Sequence, residues 1–184
     1  MRGGISAEKQ RVRQEVRMVS EQLAPEYRRE ASREITRRVL SLPVWKEAGT
    51  VMAYWSLPTE PDTRELMETA LREGKKLLLP RCLDGNRMAA LQVDSLEGLK
   101  PGALGIPEPE PDPAGAAAPE PDLILVPCVA AAPNGTRLGH GAGYYDRFLA
   151  EHTGRAVCLC FRALLRADLP AEATDIMADL VITD

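Results

Sequence analysis

The chain has 184 residues, of which 45% are hydrophobic and 27% are charged, as is typical of a globular protein with one sizeable core. A net charge of −4 argues against a general nucleic-acid binder, and no stretch approaches the ~20 apolar residues that a membrane span requires. No signal-peptide pattern follows Met1. We therefore expect a cytoplasmic protein with neither a nucleic-acid nor a membrane partner.

The first 42 residues predict two helices, which span 6–23 and 25–42. Pro25 suits the first turn of the second helix, and apolar residues at every fourth position give that helix one buried stripe. Residues 1–38 contain ten Lys/Arg and six Asp/Glu, so this arm carries +4 and the rest of the chain carries −8. A basic arm suggests recognition of an anion, although two solvated helical faces would give the same pattern.

Strands and helices alternate along the rest of the chain. Asp62 and Glu65 have the spacing of a capping box, and Gly74 ends the helix that they open. Six prolines over 107–121 predict a long surface loop and not a domain boundary. Apolar runs predict strands at 50–55, 76–79, 88–93, 123–126, 155–161 and 180–183, and a helix over 143–152. The alternation predicts an α/β fold over 1–184, a single layered domain with a largely parallel sheet flanked by helices.

A glycine-rich loop between Pro127 and Arg147 is the strongest functional signal. Gly139, Gly141 and Gly143 alternate there, and glycine allows positive φ angles and close approach of a ligand to the main chain. The loop joins a buried strand to a helix, where free N–H groups and the helix dipole favour phosphate. It is neither a Walker A motif nor a Rossmann fingerprint. On these residues alone, anion binding and a tight structural turn both remain open.

A long motif fills this loop, and shorter matching elements lie on either side of it. The loop motif is Val126-Pro127, then Gly135-x-Arg137-Leu138-Gly139-x-Gly141-x-Gly143-Tyr144-Tyr145-Asp146-Arg147. The shorter elements are Lys9-x3-Arg13, Glu60 with Thr63, Gly105-Ile106-Pro107-Glu108-Pro109, and Leu169-Pro170 with Asp175. Together these residues closely resemble the signature of the 5-formyltetrahydrofolate cyclo-ligase family, over nearly the whole chain.

The resemblance implies an enzyme that uses ATP and Mg²⁺ to convert 5-formyltetrahydrofolate to 5,10-methenyltetrahydrofolate, with release of ADP and phosphate. ATP phosphorylates the formyl oxygen, the N10 amine of the folate attacks, and phosphate leaves. No covalent protein nucleophile is required, so no catalytic residue is assigned. The protein is expected to position the two small-molecule substrates and to neutralise charge.

The resemblance also assigns residues to ATP. Lys9 and Arg13 lie one helical turn apart and can face one polyphosphate, and Arg137 suits a bidentate phosphate contact. The side chain of His140, at a variable position of the signature, receives no role of its own. The expected ATP-binding residues are Lys9, Arg13, Arg137, Leu138, Gly139, His140, Gly141, Ala142, Gly143, Tyr144 and Tyr145.

The folate and metal positions come from the same resemblance. Trp55, Glu60 and Tyr144 match substrate-binding positions, where an aromatic wall suits a flat pterin and a carboxylate accepts its ring N–H groups. Asp146 and Asp175 match Mg²⁺ ligands, and magnesium commonly takes one or two carboxylates. Plainer interpretations remain open: core packing for Trp55, and helix capping for the two aspartates.

Three positions depart from the family pattern. Ala131-Ala132 replaces Phe-Asp, Leu164 replaces glutamine, and Thr174 replaces histidine or asparagine. The first departure is expected to enlarge the substrate pocket or to weaken a hydrogen-bond network. The alternative functions are an ATP-dependent enzyme of the same fold with another N-formyl or amide substrate, a non-catalytic nucleotide- or folate-binding protein, and a sugar-phosphate isomerase or transferase.

Overall fold

A six-stranded sheet forms the centre of the computed structural model, which describes residues 2–102, 105–110 and 118–184. Its strand order is β10-β9-β6-β1-β2-β3, with β3 antiparallel to β2 at one edge and the other pairs parallel. The strands are β1 (Thr50–Met52), β2 (Lys76–Leu83), β3 (Arg87–Val93), β4 (Lys100–Pro101), β5 (Pro107–Glu108), β6 (Leu123–Val126), β7 (Ala130–Ala131), β8 (Arg137–Leu138), β9 (Arg155–Leu159) and β10 (Leu180–Ile182). The predicted α/β fold with a largely parallel sheet is confirmed.

The helices lie close to the predicted positions, with one addition. They are α1 (Arg2–Glu21), α2 (Pro25–Ser41), α3 (Pro43–Glu47), α4 (Arg64–Arg72) and α5 (Tyr144–Glu151). Pro25 begins α2 as predicted, and the short α3 also begins at a proline, because proline is pre-organised for the first helical turn. Residues 111–117 of the predicted Pro-rich loop lie outside the described residues. Within the described ranges, no helix has the length and apolar character needed to cross a membrane.

The capping box predicted at the start of α4 forms only in part, because the Asp62 amide, from which Glu65 would accept, donates to the hydroxyl of Ser32 at 3.0 Å. Thr63 occupies the N-cap position, and its side chain makes no capping bond. Its hydroxyl donates instead to the carbonyl of Tyr54, while a carboxylate oxygen of Asp62 accepts from the Arg64 amide at 2.9 Å. The Thr63 hydroxyl is therefore used for a tertiary hydrogen bond to the segment after β1 and not for capping α4.

The two central strands are buried on both faces. In β6, all four residues are fully buried, as are Val51 and Met52 in β1, so the continuous apolar runs in the sequence correspond to strands covered on both sides. β1 is shorter than the predicted 50–55 because the ladder ends at Met52. The next residue still donates from its amide to Leu78 at 3.0 Å. Tyr54 and Trp55 therefore lie just beyond the carboxyl end of β1.

A small hairpin forms the first half of the glycine-rich loop, directly after β6, where the sequence predicted no strand. Its strands β7 and β8 pair antiparallel. Gly135 makes the turn with φ of +94°, and a Cβ there would lie 2.3 Å from the carbonyl oxygen of Ala178. Only glycine fits such a close approach. The glycines that follow the hairpin therefore lie at the carboxyl edge of the sheet, where His140 contacts Glu60 in the segment after β1.

Candidate functional site

A cleft of about 940 Å³ opens at the carboxyl edge of the sheet. Its walls come from α1, the segment after β1, the glycine-rich loop, the start of α5 and the segment near the C-terminus. Every residue that the sequence assigned to ATP, folate or Mg²⁺ lines this one cleft. The structure therefore brings together elements that lie far apart in the chain, while the role of each residue stays a prediction.

The glycine-rich loop has the backbone geometry that requires glycine at two of its three alternating positions. Gly141 and Gly143 have φ of +106° and +74°, whereas Gly139 does not enter the positive region. Gly143 is also the N-cap of α5. Arg13 donates from Nε to the carbonyl of Gly139 at 2.8 Å, and Arg147 donates to the carbonyl of Ala142 at 2.8 Å. Two arginines thus hold the loop from opposite sides.

Lys9 is buried and lies between two carboxylates. Its ammonium is 2.6 Å and 2.9 Å from the two oxygens of Asp175 and 2.9 Å from Glu172. Burial acts to lower the pKa of Lys9, but the hydrogen bonds to the two carboxylates outweigh burial, so the pKa lies above its ordinary value. Lys9 is therefore a permanent cation at neutral pH, and a phosphate would compete with Asp175 and Glu172 for it.

The two predicted metal ligands differ in how their oxygens are used. Asp146 accepts from Arg137 at 2.8 Å and from the amide of Ile176 at 3.1 Å, and both bonds use the same oxygen, Oδ1. Asp175 has both oxygens bonded to Lys9. Asp146 thus fits a cation through its other oxygen, whereas Asp175 fits one only if Lys9 moves away.

Across the described residues, no group of three or more His, Cys, Asp or Glu side chains is arranged to hold a metal ion. Magnesium bound to a nucleotide does not need such a group, because phosphate oxygens and waters complete its octahedron around one or two carboxylates. The donor set therefore suits a nucleotide-bound Mg²⁺ and not a metal held by protein ligands alone.

Glu60 lines the cleft and is buried, not solvated as a loop carboxylate usually is. One of its oxygens accepts from the Leu57 amide at 2.8 Å. The other lies 3.2 Å from Nε2 of His140, whose side chain is 56% exposed. Trp55 is half-buried, and the guanidinium of Arg64 lies 5.2 Å from its ring centroid. The side chain of His140, expected only as part of the ATP-binding loop and without a role of its own, thus joins that loop to Glu60.

Other side chains of the cleft gave no usable signal in the sequence. Glu172 turns back so that its amide donates to Asp175 at 2.7 Å, and Tyr54 lines the wall beside Glu60. Cys82 also lines the cleft, and burial and the neighbouring Glu108 raise the pKa of its thiol. Their proximity results from chain folding and not from any spacing in the sequence.

The departures from the family pattern fall in different surroundings. Ala131, Ala132 and Leu164 are buried and do not line the cleft. The two alanines belong to the β7–β8 hairpin and its turn, and both lie in the buried core. Thr174, the remaining departure, lines the cleft beside Asp175.

Comparisons with known proteins find related sequences and structures over most of the chain. The model of the 5-formyltetrahydrofolate cyclo-ligase family matches residues 5–184. The chain is 36% identical to the 5-formyltetrahydrofolate cyclo-ligase of Mycolicibacterium smegmatis over 169 residues, which cover 86% of this chain and 85% of that protein. It is 31% identical to a probable 5-formyltetrahydrofolate cyclo-ligase of Schizosaccharomyces pombe over 166 residues, 81% of each protein. An Aquifex aeolicus 5,10-methenyltetrahydrofolate synthetase superposes with a TM-score of 0.82 at 34% identity, covering 95% of this chain and 88% of that chain. The chain therefore belongs to the 5-formyltetrahydrofolate cyclo-ligase family of enzymes.

Proposed function

We propose that this enzyme cyclises 5-formyltetrahydrofolate to 5,10-methenyltetrahydrofolate, with hydrolysis of ATP to ADP and phosphate and with Mg²⁺ bound to the nucleotide. The observation that carries the proposal is the composition of the cleft. Its lining residues include cations and a glycine-rich loop suited to a polyphosphate, and also a buried carboxylate and aromatic rings suited to a pterin. Two substrates that must react with each other need such a shared cleft.

The proposed chemistry needs activation of a poor leaving group. The formyl oxygen attacks the γ-phosphorus of ATP, the bond from that phosphorus to the bridging oxygen breaks, and ADP leaves. The N10 amine then attacks the formyl carbon and loses its proton, and the C–O bond breaks to release phosphate. Negative charge grows on oxygens throughout, so Lys9, Arg13 and Arg137 would act by holding and neutralising the phosphates.

The ion pairs of the cleft suggest how the cations become available. Lys9 and Arg137 are each paired with a carboxylate in the structure. We expect the polyphosphate to replace the carboxylates as the partner of Lys9. Asp175, released from Lys9, and the second oxygen of Asp146 would then hold the nucleotide-bound Mg²⁺, which would offset phosphate charge. Lys9 and Asp175 would each gain a new partner of opposite charge, as buried ions require.

The direct test follows methenyltetrahydrofolate by its absorbance, with the purified enzyme, 5-formyltetrahydrofolate, ATP and Mg²⁺. We expect product to form only when all three ligands are present, with one ADP released per product. Omission of ATP and omission of Mg²⁺ are the controls. Product formation without ATP would contradict the mechanism, and its absence under all conditions would contradict the substrate.

Other features of the proposal stay predictions. An ATP-dependent enzyme with another N-formyl or amide substrate would release phosphate with that compound but form no methenyltetrahydrofolate, so the same assay separates the two. The cytoplasmic location and the lack of a nucleic-acid partner likewise stay predictions from composition and charge. The extent of a single domain over 1–184 also stays a prediction.

A further inference from the structure

Two tyrosine hydroxyls in the cleft are buried and have no hydrogen-bond partner among the residues that the structure describes. They belong to Tyr54 and Tyr145, which both line the cleft. Buried polar groups in proteins nearly always have a partner, because an unpaired group has lost its bonds to water without replacement. An unpaired hydroxyl in a ligand cleft therefore indicates a partner that the ligand supplies.

Of these two tyrosines, Tyr54 has the more fully buried side chain and a backbone that is fixed by a tertiary hydrogen bond. Its side chain is 97% buried (3% relative exposure) and follows β1 by two residues. Its carbonyl accepts a hydrogen bond from the fully buried hydroxyl of Thr63 at the start of α4. The fold thus fixes the backbone from which the phenol projects, and a phenol has only two side-chain torsions to order.

The surroundings of Tyr54 make its hydroxyl a donor. Burial raises its pKa well above the ordinary value, and the charge of Glu60 acts in the same direction. Cys128, Cys158 and Tyr145, the other titratable groups near it, also act to raise this pKa. The phenol therefore keeps its proton at neutral pH. Glu60 offers only acceptor oxygens, so the two side chains together present a donor beside an acceptor.

We propose that the Tyr54 hydroxyl is a specificity-determining contact that donates a hydrogen bond to a carbonyl oxygen of the folate substrate. The inference rests on the proposed function, which supplies that substrate. Two oxygens of this chemistry lie on the pterin part of the molecule, the part that Glu60 is proposed to bind: the ring carbonyl and the formyl oxygen on N5. Because the hydroxyl is closed off from bulk water, substrate entry must open the cleft wall at this point.

The test is Tyr54→Phe, which removes the hydroxyl and keeps the ring. We expect the KM for 5-formyltetrahydrofolate to rise about tenfold, which corresponds to ~1.4 kcal/mol, while the KM for ATP changes less than about twofold. The melting temperature without ligands should stay the same or rise, because the variant loses an unpaired buried group. A purely structural role would instead lower the melting temperature and leave the folate KM unchanged.

Tyr27→Phe is the matched control, because the Tyr27 hydroxyl is bonded to Asp184 at 3.0 Å and 3.2 Å and Tyr27 does not line the cleft. We expect this variant to lose stability and to keep the wild-type KM for both substrates. A raised folate KM with unchanged stability in Tyr54→Phe, and an unchanged KM with lower stability in Tyr27→Phe, would distinguish a hydroxyl that binds the ligand from one that stabilises the fold.

Calorimetry with two ligands identifies the oxygen. If Tyr54→Phe weakens binding of both tetrahydrofolate and 5-formyltetrahydrofolate, the partner is the ring carbonyl. If only the formyl compound binds more weakly, the partner is the formyl oxygen. Affinities for both within about twofold of wild type would overturn the inference. Lack of turnover by the wild-type enzyme would reject the proposed function instead, and the two affinities would still decide the Tyr54 contact.

Discussion

At the scale of single residues, Glu60 connects the segment after β1 with the glycine-rich loop. Its buried carboxylate is held by the Leu57 amide on one oxygen and meets His140 of the glycine-rich loop on the other. A carboxylate held in this way is already oriented, so little side-chain entropy is lost when it accepts a bond from a ligand. Each carboxylate oxygen has two lone pairs, so a pterin N–H can bind without displacing either partner.

The substitution Glu60→Gln tests this role. We expect folate affinity to fall by about tenfold to 150-fold, because a hydrogen bond to a charged group contributes roughly 1.5–3 kcal/mol, while ATP affinity stays near wild type. Separate titrations with folate and ATP give the measurement. The control is Glu68→Gln, which removes an exposed carboxylate on α4 paired with Arg64 and should affect neither ligand. Equal folate affinities in Glu60→Gln and wild type would remove Glu60 from the site.

Asp146→Asn tests the proposed metal role. The amide oxygen of asparagine can still accept from Arg137 and Ile176, so the fold should persist while one negative charge is lost. We expect apparent Mg²⁺ affinity to fall by at least the roughly 10- to 100-fold that loss of a supporting group costs at metal sites. A magnesium titration of turnover gives the measurement, and an unchanged titration curve would show that Asp146 is not a ligand.

The variant Asp175→Asn should lower the melting temperature as well as the apparent Mg²⁺ affinity, because it weakens the buried pair with Lys9.

At the scale of elements, the glycine-rich loop owes its shape to a left-handed residue immediately before α5. Gly143 has φ of +74°, and a Cβ there would lie 2.9 Å from a guanidinium nitrogen of Arg147. The arginine can shift, but the positive φ is unfavourable for any residue with a Cβ. Loop conformation and helix start are therefore coupled at this one position.

Gly143→Ala should lower both stability and ATP affinity. The left-handed conformation costs alanine about 1–2 kcal/mol, which corresponds to a fall of about 2–8 °C in Tm for a chain of this size. Gly74→Ala is the matched control: Gly74 has φ of +73°, lies at the end of α4 and has no atom within 4 Å of an added Cβ. Thermal melts and ATP titrations should show similar stability losses in both variants and weaker ATP binding only in Gly143→Ala. Wild-type ATP affinity in Gly143→Ala would indicate a turn without a nucleotide role.

At the scale of the whole molecule, the cleft joins the two ends of the chain. Lys9 on α1 contacts Asp175, which lies 166 residues further along the chain. Arg13 on the same helix holds the glycine-rich loop through Gly139. A nucleotide bound among these groups would touch the N-terminal helix, the loop and the C-terminal segment at once, so its binding energy would stabilise the fold as a whole.

ATP with Mg²⁺ should therefore raise the melting temperature. A ligand that binds only the native state adds about 2.7 kcal/mol at a concentration of 100 Kd, which corresponds to about 5–11 °C for a chain of this size. Differential scanning fluorimetry with ATP and Mg²⁺ gives the measurement, and AMP, which lacks the β- and γ-phosphates, should give a smaller shift. No shift at millimolar ATP, together with no heat of binding by calorimetry, would contradict nucleotide binding.

The amino-acid sequence by itself determined the fold class, the approximate limits of the main elements and the family. These properties follow from local signals: a continuous apolar run for the buried β6, a proline at the start of α2, and a glycine-rich motif with its characteristic spacing before α5. Each signal depends on residues that are close together in the sequence. Such signals can therefore be interpreted without knowing which elements pack against them.

The tertiary structure alone decided which side chains meet in the cleft. The sequence assigned Lys9 and Asp175 separately but not their ion pair. It placed His140 in the ATP-binding loop without predicting the contact with Glu60, and it gave no role to Tyr54, which lies near Glu60. The hydroxyl of Thr63 likewise makes a tertiary hydrogen bond to the carbonyl of Tyr54, beyond the end of β1, and does not cap α4. Contacts of this kind depend on how distant elements pack, and packing brings residues together across the carboxyl edge of the sheet regardless of their spacing in the chain.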